Sequence, residues 1–422
     1  MDGDTRIRDD ARPTGSPQAF VWPEDDTHIP EWVYTSEEIY RREVERLFLG
    51  PHWNFVGLEC ELAEPGNFIR SFVGPYPVVV ARDMDGEIHV FENRCAHRGA
   101  EFCREYRGKA DSFICPYHNW TYNLKGELAA VPFRRGIKGK GGLPDGFDMA
   151  AHGLRTFRVT RRGGVVFATA SDETEPLEQY LGPEILAEYD DVFDSDMKLL
   201  GIHRNIVPGN WKLYQENLKD PYHALLLHTY LTTFGLFVTS NESRVFTDAT
   251  GRHHASLSRR PEGRPEVTAD DEADMKVFRK TMKLNDPRVT NFIRETDSNW
   301  SGSVVTVFPT LTALRQTNIL NTRLIVPRGP HEFILLWAVY GRAGDDDEMV
   351  RHRLRQNNIF GPGGFLGIED NEALKFVQDG LKQAIPEDIV MPFGGDDEDP
   401  DTIITERALR GMYRYYRDAM GL

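Results

Sequence analysis

Cysteine is scarce in this chain of 422 residues, which contains only Cys60, Cys95, Cys103 and Cys115. Four cysteines cannot supply a disulfide framework for a protein of this length, and two of them stand beside histidines. The sequence therefore argues against a disulfide-stabilised secreted protein and favours the reducing environment of the cytoplasm. Cys60 and Cys103 are interpreted as small core residues.

Long apolar runs and an excess of positive charge are also missing. No segment approaches the roughly 18 apolar residues that a membrane-spanning helix needs, and the polar N-terminus has no apolar stretch like that of a signal peptide. Asp and Glu outnumber Lys and Arg by 66 to 50, which gives a formal net charge of −16. We therefore expect neither nucleic acid nor an anionic membrane surface as a partner.

Two short cysteine–histidine pairs are the most informative feature that is present. Cys95 and His97 form a C-x-H pair, and Cys115 and His118 form a C-x-x-H pair, with 17 residues between His97 and Cys115. Two thiolates and two imidazoles suit either a tetrahedral zinc or an iron–sulfur cluster. A zinc finger usually places its cysteine pair before its histidine pair, whereas the mixed order is the Rieske arrangement. The spacing favours a [2Fe–2S] cluster, with structural zinc as the alternative.

A second candidate metal site contains His223 and His228. Side chains five residues apart diverge by about 140° on an ideal helix, so both imidazoles can reach one metal only if the helix is distorted. Pro221 gives a reason for such a distortion. Two histidines and one carboxylate form the facial set of non-haem Fe(II). Glu369 and Asp370 follow a glycine-rich turn and could supply the carboxylate, although an acidic helix cap is the alternative.

The hydrophobic patterning divides the chain into an N-terminal arm and helix (1–44), a β-rich segment (45–165) and a mixed segment (166–422). Strands are expected near 303–308, 311–326 and 333–342. Helices are expected near 176–189, 211–230, 270–283, 346–358, 366–380 and 402–419. The predicted fold class is α+β: an all-β domain that carries the Cys–His loops, and a second domain with an antiparallel sheet flanked by helices. We expect the first segment to pack on that second domain.

The motifs together resemble those of the large (α) subunit of Rieske non-haem iron ring-hydroxylating oxygenases, over essentially the whole chain. The resemblance rests on NRCAHRGAEFC, ICPYHNWTYNLKGEL, VPFRRG, PGNWKLYQENLKDPYHALLLHT, FGPGGF and the closing RALRGMYRYYRDAMG. Within that family the sequence most resembles the large components of salicylate 5-hydroxylase, anthranilate dioxygenase and terephthalate dioxygenase.

The resemblance implies a role for each motif residue. The implied ligands are Cys95 and Cys115 for one cluster iron, His97 and His118 for the other, and His223, His228 and Asp370 for a mononuclear Fe(II). Glu369 stands where many relatives have a second aspartate. Asp220 matches the family's bridging aspartate, which links a cluster histidine of one subunit to an iron histidine of its neighbour. Asn217 is expected close to the iron without being a ligand.

The resemblance also implies partners and a reaction. Electrons would pass from NADH through a reductase, often with a ferredoxin, to the cluster and then to the iron of the adjacent subunit. The assembly would be a homotrimer or, with a small β subunit, an α3β3 complex. The expected reaction is hydroxylation or cis-dihydroxylation of an aromatic carboxylate by O2. The sequence leaves two alternatives open: a Rieske monooxygenase or O-demethylase acting on another aromatic, and a Rieske electron carrier without catalysis of its own.

A carboxylate on an aromatic substrate requires a cationic or strongly donating group in an otherwise apolar pocket. Arg315, Gln316 and Arg323 stand in predicted strands, and Arg410 stands in the last predicted helix. These four residues, with the segment 234–237, are the candidates for contact with substrate. Pairing with acidic neighbours is the alternative role for the arginines.

Overall fold

The computed structural model describes residues 20–238, 241–259, 282–383, 388–395 and 401–422. These residues form two seven-stranded sheets, a three-stranded sheet and a two-stranded ladder, with helices outside the sheets. The α+β fold class is therefore confirmed. Residues 1–19 of the expected arm and residues 270–281 of one expected helix lie outside the described ranges.

The β-rich segment is built on one seven-stranded sheet in which every neighbouring pair is antiparallel. Its strands, in spatial order, are Asn54–Leu58, Val165–Thr169, Thr156–Arg162, Ile88–Glu92, Tyr76–Arg82, Asn67–Val73 and Arg107–Lys109. A small sheet beside it contains Ser112–Ile114, Thr121–Asn123 and Leu128–Ala130. The first Cys–His loop follows strand Ile88–Glu92, and the second connects the first two strands of the small sheet.

The second large sheet, here called the C-terminal sheet, is also antiparallel throughout. Its strands, in spatial order, are Met197–Val207, Phe333–Arg342, Ile319–Pro327, Leu311–Gln316, Gly302–Val307, His254–Arg259 and Glu242–Thr247. The expected strand run 311–326 is two strands joined by a turn. Three strands were not predicted (Met197–Val207, Glu242–Thr247 and His254–Arg259), because their polar and charged residues hide the alternation of a half-buried strand.

Helices cover both faces of the C-terminal sheet. The longer ones are Leu177–Val192, Trp211–Lys219, Asp347–Phe360, Phe365–Lys382 and Arg407–Met420, and the shorter ones are Trp32–Thr35, Glu37–Glu43, His223–Leu226 and Thr229–Thr233. One face packs against Trp211–Lys219 and the C-terminal helix in one hydrophobic core. The other face packs against Leu177–Val192 and the β-rich sheet in a second core. In the part of the chain that is described, no helix is long and apolar enough to cross a membrane.

The N-terminal helix is fixed to the remainder of the chain by a fully buried ion pair. Glu43 accepts hydrogen bonds from Lys212 at 2.5 Å, from Trp211 at 2.8 Å and from Tyr416 at 2.6 Å. Burial lowers the pKa of Lys212, while Glu43 opposes that shift. The short ladder between His28–Ile29 and Ile389–Val390 adds a second connection.

Removal of the charge at Glu43 should destabilise the fold strongly. In Glu43→Gln the Lys212 ammonium stays buried without a counter-ion, which costs about 3 to 5 kcal/mol of unfolding free energy. The double variant Glu43→Gln/Lys212→Met should recover much of that loss, because no uncompensated charge remains. Urea unfolding followed by tryptophan fluorescence measures both. Equal stability of Glu43→Gln and the unmodified protein would show that the buried Lys212 ammonium does not need Glu43 as its counter-ion.

Candidate metal centres and active site

The first candidate centre brings two buried thiols and two partly exposed imidazoles to the tips of adjacent loops. Cys95 and Cys115 are each 1% exposed, and the ring centroids of His97 and His118 lie 4.6 Å apart. Both loops turn in the same way: Gly99 donates its backbone N–H to Cys95, and Asn119 donates its own to Cys115. The four predicted ligands are therefore brought together.

Two features of this centre fit a metal group. His97 Nδ1 is buried and has no hydrogen-bond partner among the described residues, and a buried ring nitrogen of this kind is normally satisfied. One face of the His97 ring is covered by Trp120. The two rings stack with 4.8 Å between their centroids and 4° between their planes. Burial raises the pKa of the Cys115 thiol, an effect that a bound cation reverses because the thiolate is the ligand.

The second centre depends on a break in the predicted helix 211–230. Asn210 caps helix Trp211–Lys219 by accepting the backbone N–H of Lys212. The helix ends at Lys219 with Asp220 as its C-cap, because Pro221 disfavours helical geometry in the residue before it. A single turn, His223–Leu226, then leads to His228, whose φ of −88° and ψ of 61° are not helical. The expected distortion at Pro221 is confirmed, and it lets both imidazoles face one point.

Asp370 completes the second centre from helix Phe365–Lys382. One ligand atom from each of His223, His228 and Asp370 lies within 4.8 Å of the others. Asp370 Oδ1 is 3.0 Å from His228 Nε2 and 3.6 Å from His223 Nε2. Burial opposes ionisation of Asp370, but hydrogen bonds to the two histidines hold its pKa well below the usual range. Two histidines and one carboxylate that share a point are a facial set for a divalent transition metal.

Glu369 contacts His228 on the side of its ring that is opposite to Asp370. Its Oε2 lies 2.7 Å from His228 Nδ1, the ring nitrogen that faces away from Asp370. Burial lowers the pKa of His228, but hydrogen bonds to Asp370 and Glu369 outweigh that effect and raise it to about 9. The arrangement places Asp370 at the metal position and makes Glu369 the group that orients the His228 ring.

Loss of the negative charge at Glu369 should weaken metal binding without abolishing it. Glu369→Gln keeps an acceptor for His228 Nδ1 but removes the charge, and we expect about tenfold lower affinity for Co(II) in metal-stripped protein. Asp370→Ala should abolish that binding, whereas Glu372→Gln, on the exposed side of the same helix, should have no effect. Calorimetric titration measures all three. Unchanged affinity in Glu369→Gln would show that Glu369 does not support the ligand.

Asp220 contacts His223 mainly through its main chain. The Asp220 carbonyl oxygen accepts a short hydrogen bond from His223 Nδ1, whereas the Asp220 carboxylate lies 3.9 Å from that nitrogen. The carboxylate instead accepts the backbone N–H of His223 at 3.3 Å. This corrects the expectation that the carboxylate bonds the His223 ring. Burial raises the pKa of Asp220 to about 6, and 20% of the side chain stays exposed.

Asn217 lies against the candidate metal ligands, as expected. Its Nδ2 is 3.0 Å from Asp370 Oδ1 and 3.4 Å from His223 Nε2. Its Oδ1 is buried and has no partner in the described ranges. Asn217 therefore stands beside the ligand atoms with one acceptor left over.

A cavity opens directly beside the second centre. His223, His228 and Asp370 lie in its wall, and its volume open to water-sized molecules is about 130 Å³. Most of the remaining wall is apolar, with Leu218, Leu231, Leu236, Phe237, Leu314 and Phe360 among its members. Of the expected segment 234–237, Leu236 and Phe237 line the cavity and Phe234 does not.

Arg323 and Gln316 line this cavity. Arg323 is fully buried, with its guanidinium carbon 3.7 Å from the centre of the Trp337 ring. It donates to two neutral acceptors, Asn321 at 3.1 Å and Tyr214 at 2.5 Å. Its Nη2 is buried and has no partner in the described part of the chain. A buried cation with an unused donor requires an acceptor from elsewhere.

Arg315 and Arg410 are not brought to the cavity, and the guanidinium of each is bound by acceptors elsewhere. Arg315 donates to the Asp191 carboxylate at 2.5 Å because its side chain leaves the strand on the face opposite to that of Gln316. Arg410 donates to the carbonyl oxygens of Met391, Phe393 and Gly394 and so fixes a loop against the last helix. The expectation that they contact substrate is therefore not supported for these two arginines.

Four serines in the cavity wall were missed by the sequence analysis: Ser256, Ser258, Ser301 and Ser303. Two of them belong to strand His254–Arg259, which was not predicted. The i, i+2 spacing of Ser256 and Ser258 was the available signal, because alternate residues of a strand share one face.

Comparison with known families identifies both parts of the chain. A model described as "Rieske [2Fe-2S] domain" matches residues 52–141. A model described as "Ring hydroxylating alpha subunit (catalytic domain)" matches residues 184–422. The first match decides the choice at the Cys–His centre in favour of the [2Fe–2S] cluster over zinc. The second excludes an electron carrier without catalysis, and it implies mononuclear iron at the other centre.

Curated relatives span nearly the whole chain. The large oxygenase component of salicylate 5-hydroxylase from Ralstonia sp. is 45% identical, covering 96% of this chain and 97% of its own. The anthranilate 1,2-dioxygenase large subunit from Burkholderia cepacia is 39% identical, covering 97% and 99%. An α subunit of the terephthalate 1,2-dioxygenase terminal oxygenase component from Comamonas sp. is 38% identical, covering 94% and 96%. The resemblance stated from the motifs is confirmed.

Solved structures share the fold at lower sequence identity. Naphthalene 1,2-dioxygenase from Rhodococcus sp., solved with bound indole, superposes with a TM-score of 0.76 at 23% identity and covers 94% of this chain and 95% of its own. The arrangement of an all-β domain and an antiparallel sheet flanked by helices is thus the arrangement of a known fold.

Proposed function

Because this chain belongs to the family of Rieske ring-hydroxylating oxygenase large (α) subunits, we propose that it is a terminal oxygenase that hydroxylates or cis-dihydroxylates a single aromatic ring bearing a carboxylate. The observation that carries this proposal is Arg323. Its buried guanidinium has an unused Nη2 donor and lines the cavity that also contains His223, His228 and Asp370. An anionic group on the substrate would supply the missing acceptor and the missing negative charge.

The size and polarity of the cavity support one ring rather than two. A dry, apolar cavity of roughly 150 Å³ holds one benzene molecule, and the cavity here is about 130 Å³. Apolar side chains would cover the ring faces, and Gln316, whose Oε1 is buried without a partner in the described residues, can contact a ring substituent. Salicylate, anthranilate and terephthalate types of substrate have the required size and charge.

The protein's own residues would hold the metals and place the ring. Cys95, His97, Cys115 and His118 would hold the [2Fe–2S] cluster, and His223, His228 and Asp370 would hold Fe(II). When bound, these groups supply one-electron transfer and the redox chemistry that lets dioxygen react with an aromatic ring. The chain orients the His228 ring through Glu369 and the His223 ring through the Asp220 carbonyl, while the apolar cavity wall excludes water from the reacting ring.

Electrons are proposed to come from NADH through a reductase, often with a ferredoxin. Asp220 is proposed to link the cluster of one subunit to the iron of the next in a homotrimer or an α3β3 assembly. The partial exposure of the Asp220 carboxylate and of His97 and His118 supports this, since groups that meet across an interface must be open in the single chain.

The proposed domain division is 1–44, 45–165 and 166–422. One continuous sheet from Asn54 to Thr169 supports a separate [2Fe–2S] domain, and its strand Val165–Thr169 extends past the boundary at residue 165. The Glu43–Lys212 pair and the ladder between His28–Ile29 and Ile389–Val390 support packing of the N-terminal segment on the catalytic domain. This packing would leave the cluster loops free of the N-terminal segment.

Product analysis tests the proposed function. Protein with both metal centres loaded, supplied with NADH and a reductase–ferredoxin pair, is offered salicylate, anthranilate, terephthalate and benzoate, each beside its carboxamide. The proposal predicts oxygenated products that carry ¹⁸O from ¹⁸O2 for at least one carboxylate, and little or none for the matching amide. One ¹⁸O atom indicates hydroxylation and two indicate cis-dihydroxylation. Equal turnover of acids and amides would remove the need for an anion-binding arginine, and O-demethylation of a neutral ring alone would contradict the substrate class.

A further inference from the structure

A short loop of the [2Fe–2S] domain concentrates positive charge on an otherwise acidic protein. Residues 133–142, here called the basic loop, contain Arg134, Arg135, Lys138 and Lys140, and no carboxylate occurs between residues 133 and 144. All four cationic side chains are exposed. The whole chain has a formal net charge of −16, so this loop has the opposite sign to the protein that presents it.

The basic loop has a defined shape. Ile137 and Lys140 exchange two backbone hydrogen bonds, at 3.0 and 3.1 Å, and Leu143 donates its N–H to the Arg134 carbonyl at 2.9 Å. Gly136 is required where the loop closes on itself, because a Cβ there would lie 2.3 Å from the Lys140 carbonyl oxygen. The four cations are therefore held on a compact hairpin.

Packed side chains connect the base of this loop to a cluster ligand. Arg134 Nη1 lies 3.3 Å from the Met149 sulfur, and both Met149 and Phe147 pack on the core of the [2Fe–2S] domain. The Phe147 ring meets the edge of Trp120 at 6.1 Å between centroids, and Trp120 stacks on His97 at 4.8 Å. Met149, Phe147 and Trp120 thus lie between the basic loop and His97.

The same loop exposes apolar side chains among its charges. Phe133 is 71% exposed and Ile137 is 59% exposed. Exposed aromatic and aliphatic side chains surrounded by charged ones are the usual anatomy of a protein-docking surface. Single exposed apolar residues need no explanation, but here two of them coincide with the charge reversal and with the short path to His97.

We propose that the basic loop is the surface on which an acidic one-electron carrier protein docks to reduce the cluster. This inference rests on the proposed function and adds the place of electron entry. In each encounter one electron leaves the carrier, which is oxidised, and enters the group held by Cys95, His97, Cys115 and His118, which is reduced; no bond is made or broken. The acidic remainder of the protein repels an acidic carrier, so the loop orients it as well as attracting it.

The test compares two variants with equal loss of charge. The loop variant carries Arg134→Gln, Arg135→Gln, Lys138→Gln and Lys140→Gln. The control variant carries Lys198→Gln, Arg204→Gln, Arg328→Gln and Arg351→Gln, which are exposed positions of the C-terminal domain. A reduced plant-type [2Fe–2S] ferredoxin, an acidic carrier, is the probe. Stopped-flow absorbance gives the bimolecular rate constant for cluster reduction between 20 and 500 mM salt, and calorimetry gives the affinity of the oxidised ferredoxin.

The loop variant should react about tenfold more slowly at low salt, with a flatter salt dependence and weaker ferredoxin binding. Its cluster potential and absorption spectrum should be unchanged, and the control should behave as the unmodified protein. An unaltered rate in the loop variant, or an equal decrease in the control, would overturn the proposal. So would a changed subunit assembly with unaltered reduction, because the loop would then contact another copy of the chain. A protein without a reducible cluster would instead refute the proposed function itself.

Discussion

Replacement of Asp220 by alanine should leave both metal centres loaded and lower turnover by about 100-fold. The proposed iron ligand His223 is held by the main-chain carbonyl of residue 220, and the substitution retains that carbonyl. What is lost is the partly exposed carboxylate, which is proposed to join the cluster of one subunit to the iron of the next. The measurement is turnover with a carboxylated substrate, beside iron content and the reduced-cluster spectrum of the same sample.

Asp220→Asn is the matched control for shape, since it keeps the side-chain volume and one acceptor while removing the charge. We expect an intermediate turnover and, in single-turnover experiments, slower oxidation of the reduced cluster in both variants. Loss of iron from Asp220→Ala would instead assign the residue a structural role at the His223 turn.

Arg323→Met should lower kcat/KM for a carboxylated ring by about 100-fold, because a buried charge pair or charge-assisted hydrogen bond contributes roughly 2 to 5 kcal/mol. The carboxamide of the same ring should be turned over at the low rate of the unmodified protein. The acid-to-amide ratio of kcat/KM is therefore the decisive quantity, and the account predicts that it falls towards one.

Arg315→Met provides the contrast for this prediction. Arg315 stands between the cavity residues Leu314 and Gln316 in one strand. Its side chain donates to Asp191 on the other face of the sheet, so its substitution should leave the acid-to-amide ratio unchanged. Because Arg323 also packs on Trp337 and Tyr214, Arg323→Lys tests the charge with less disturbance of packing. Retention of the full ratio in both Arg323 variants would remove Arg323 from substrate recognition.

The sequence was sufficient for the parts of the site that depend on spacing within one segment. The Cys–His pairs stand on tight loops of a few residues, so their order alone favoured a [2Fe–2S] cluster, and the family match then decided against zinc. The break of the helix at Pro221 was also predictable, because proline disrupts a helix whatever the surrounding fold is. Spacing within one segment could not identify Asp370 as the third ligand, since the sequence offered two adjacent carboxylates, Glu369 and Asp370. The family resemblance favoured Asp370, and the structure supports that choice because Glu369 and Asp370 approach opposite nitrogens of the His228 ring.

Roles that depend on which face of a strand a side chain occupies could not be predicted. Arg315 and Gln316 are neighbours in one strand, and successive strand residues point to opposite faces. A shift of one residue in the expected register would have exchanged their roles. Arg410 was ambiguous for another reason: a helix residue can satisfy loop carbonyls from a distant segment, and nothing in its own neighbourhood indicates that loop. The strand His254–Arg259 was missed because its polar residues face the cavity, where function overrides the usual apolar pattern.

The central claim is that one chain carries two different iron centres, and the most direct test combines iron analysis with electron paramagnetic resonance. The account predicts about three iron atoms per chain, two in the cluster and one mononuclear. After reduction with dithionite, a Rieske-type signal should appear that Cys95→Ala or His118→Ala removes, while Asp370→Ala loses only the third iron and keeps the signal. Absence of the Rieske-type signal in the intact protein, or iron confined to the β-rich domain, would contradict the account.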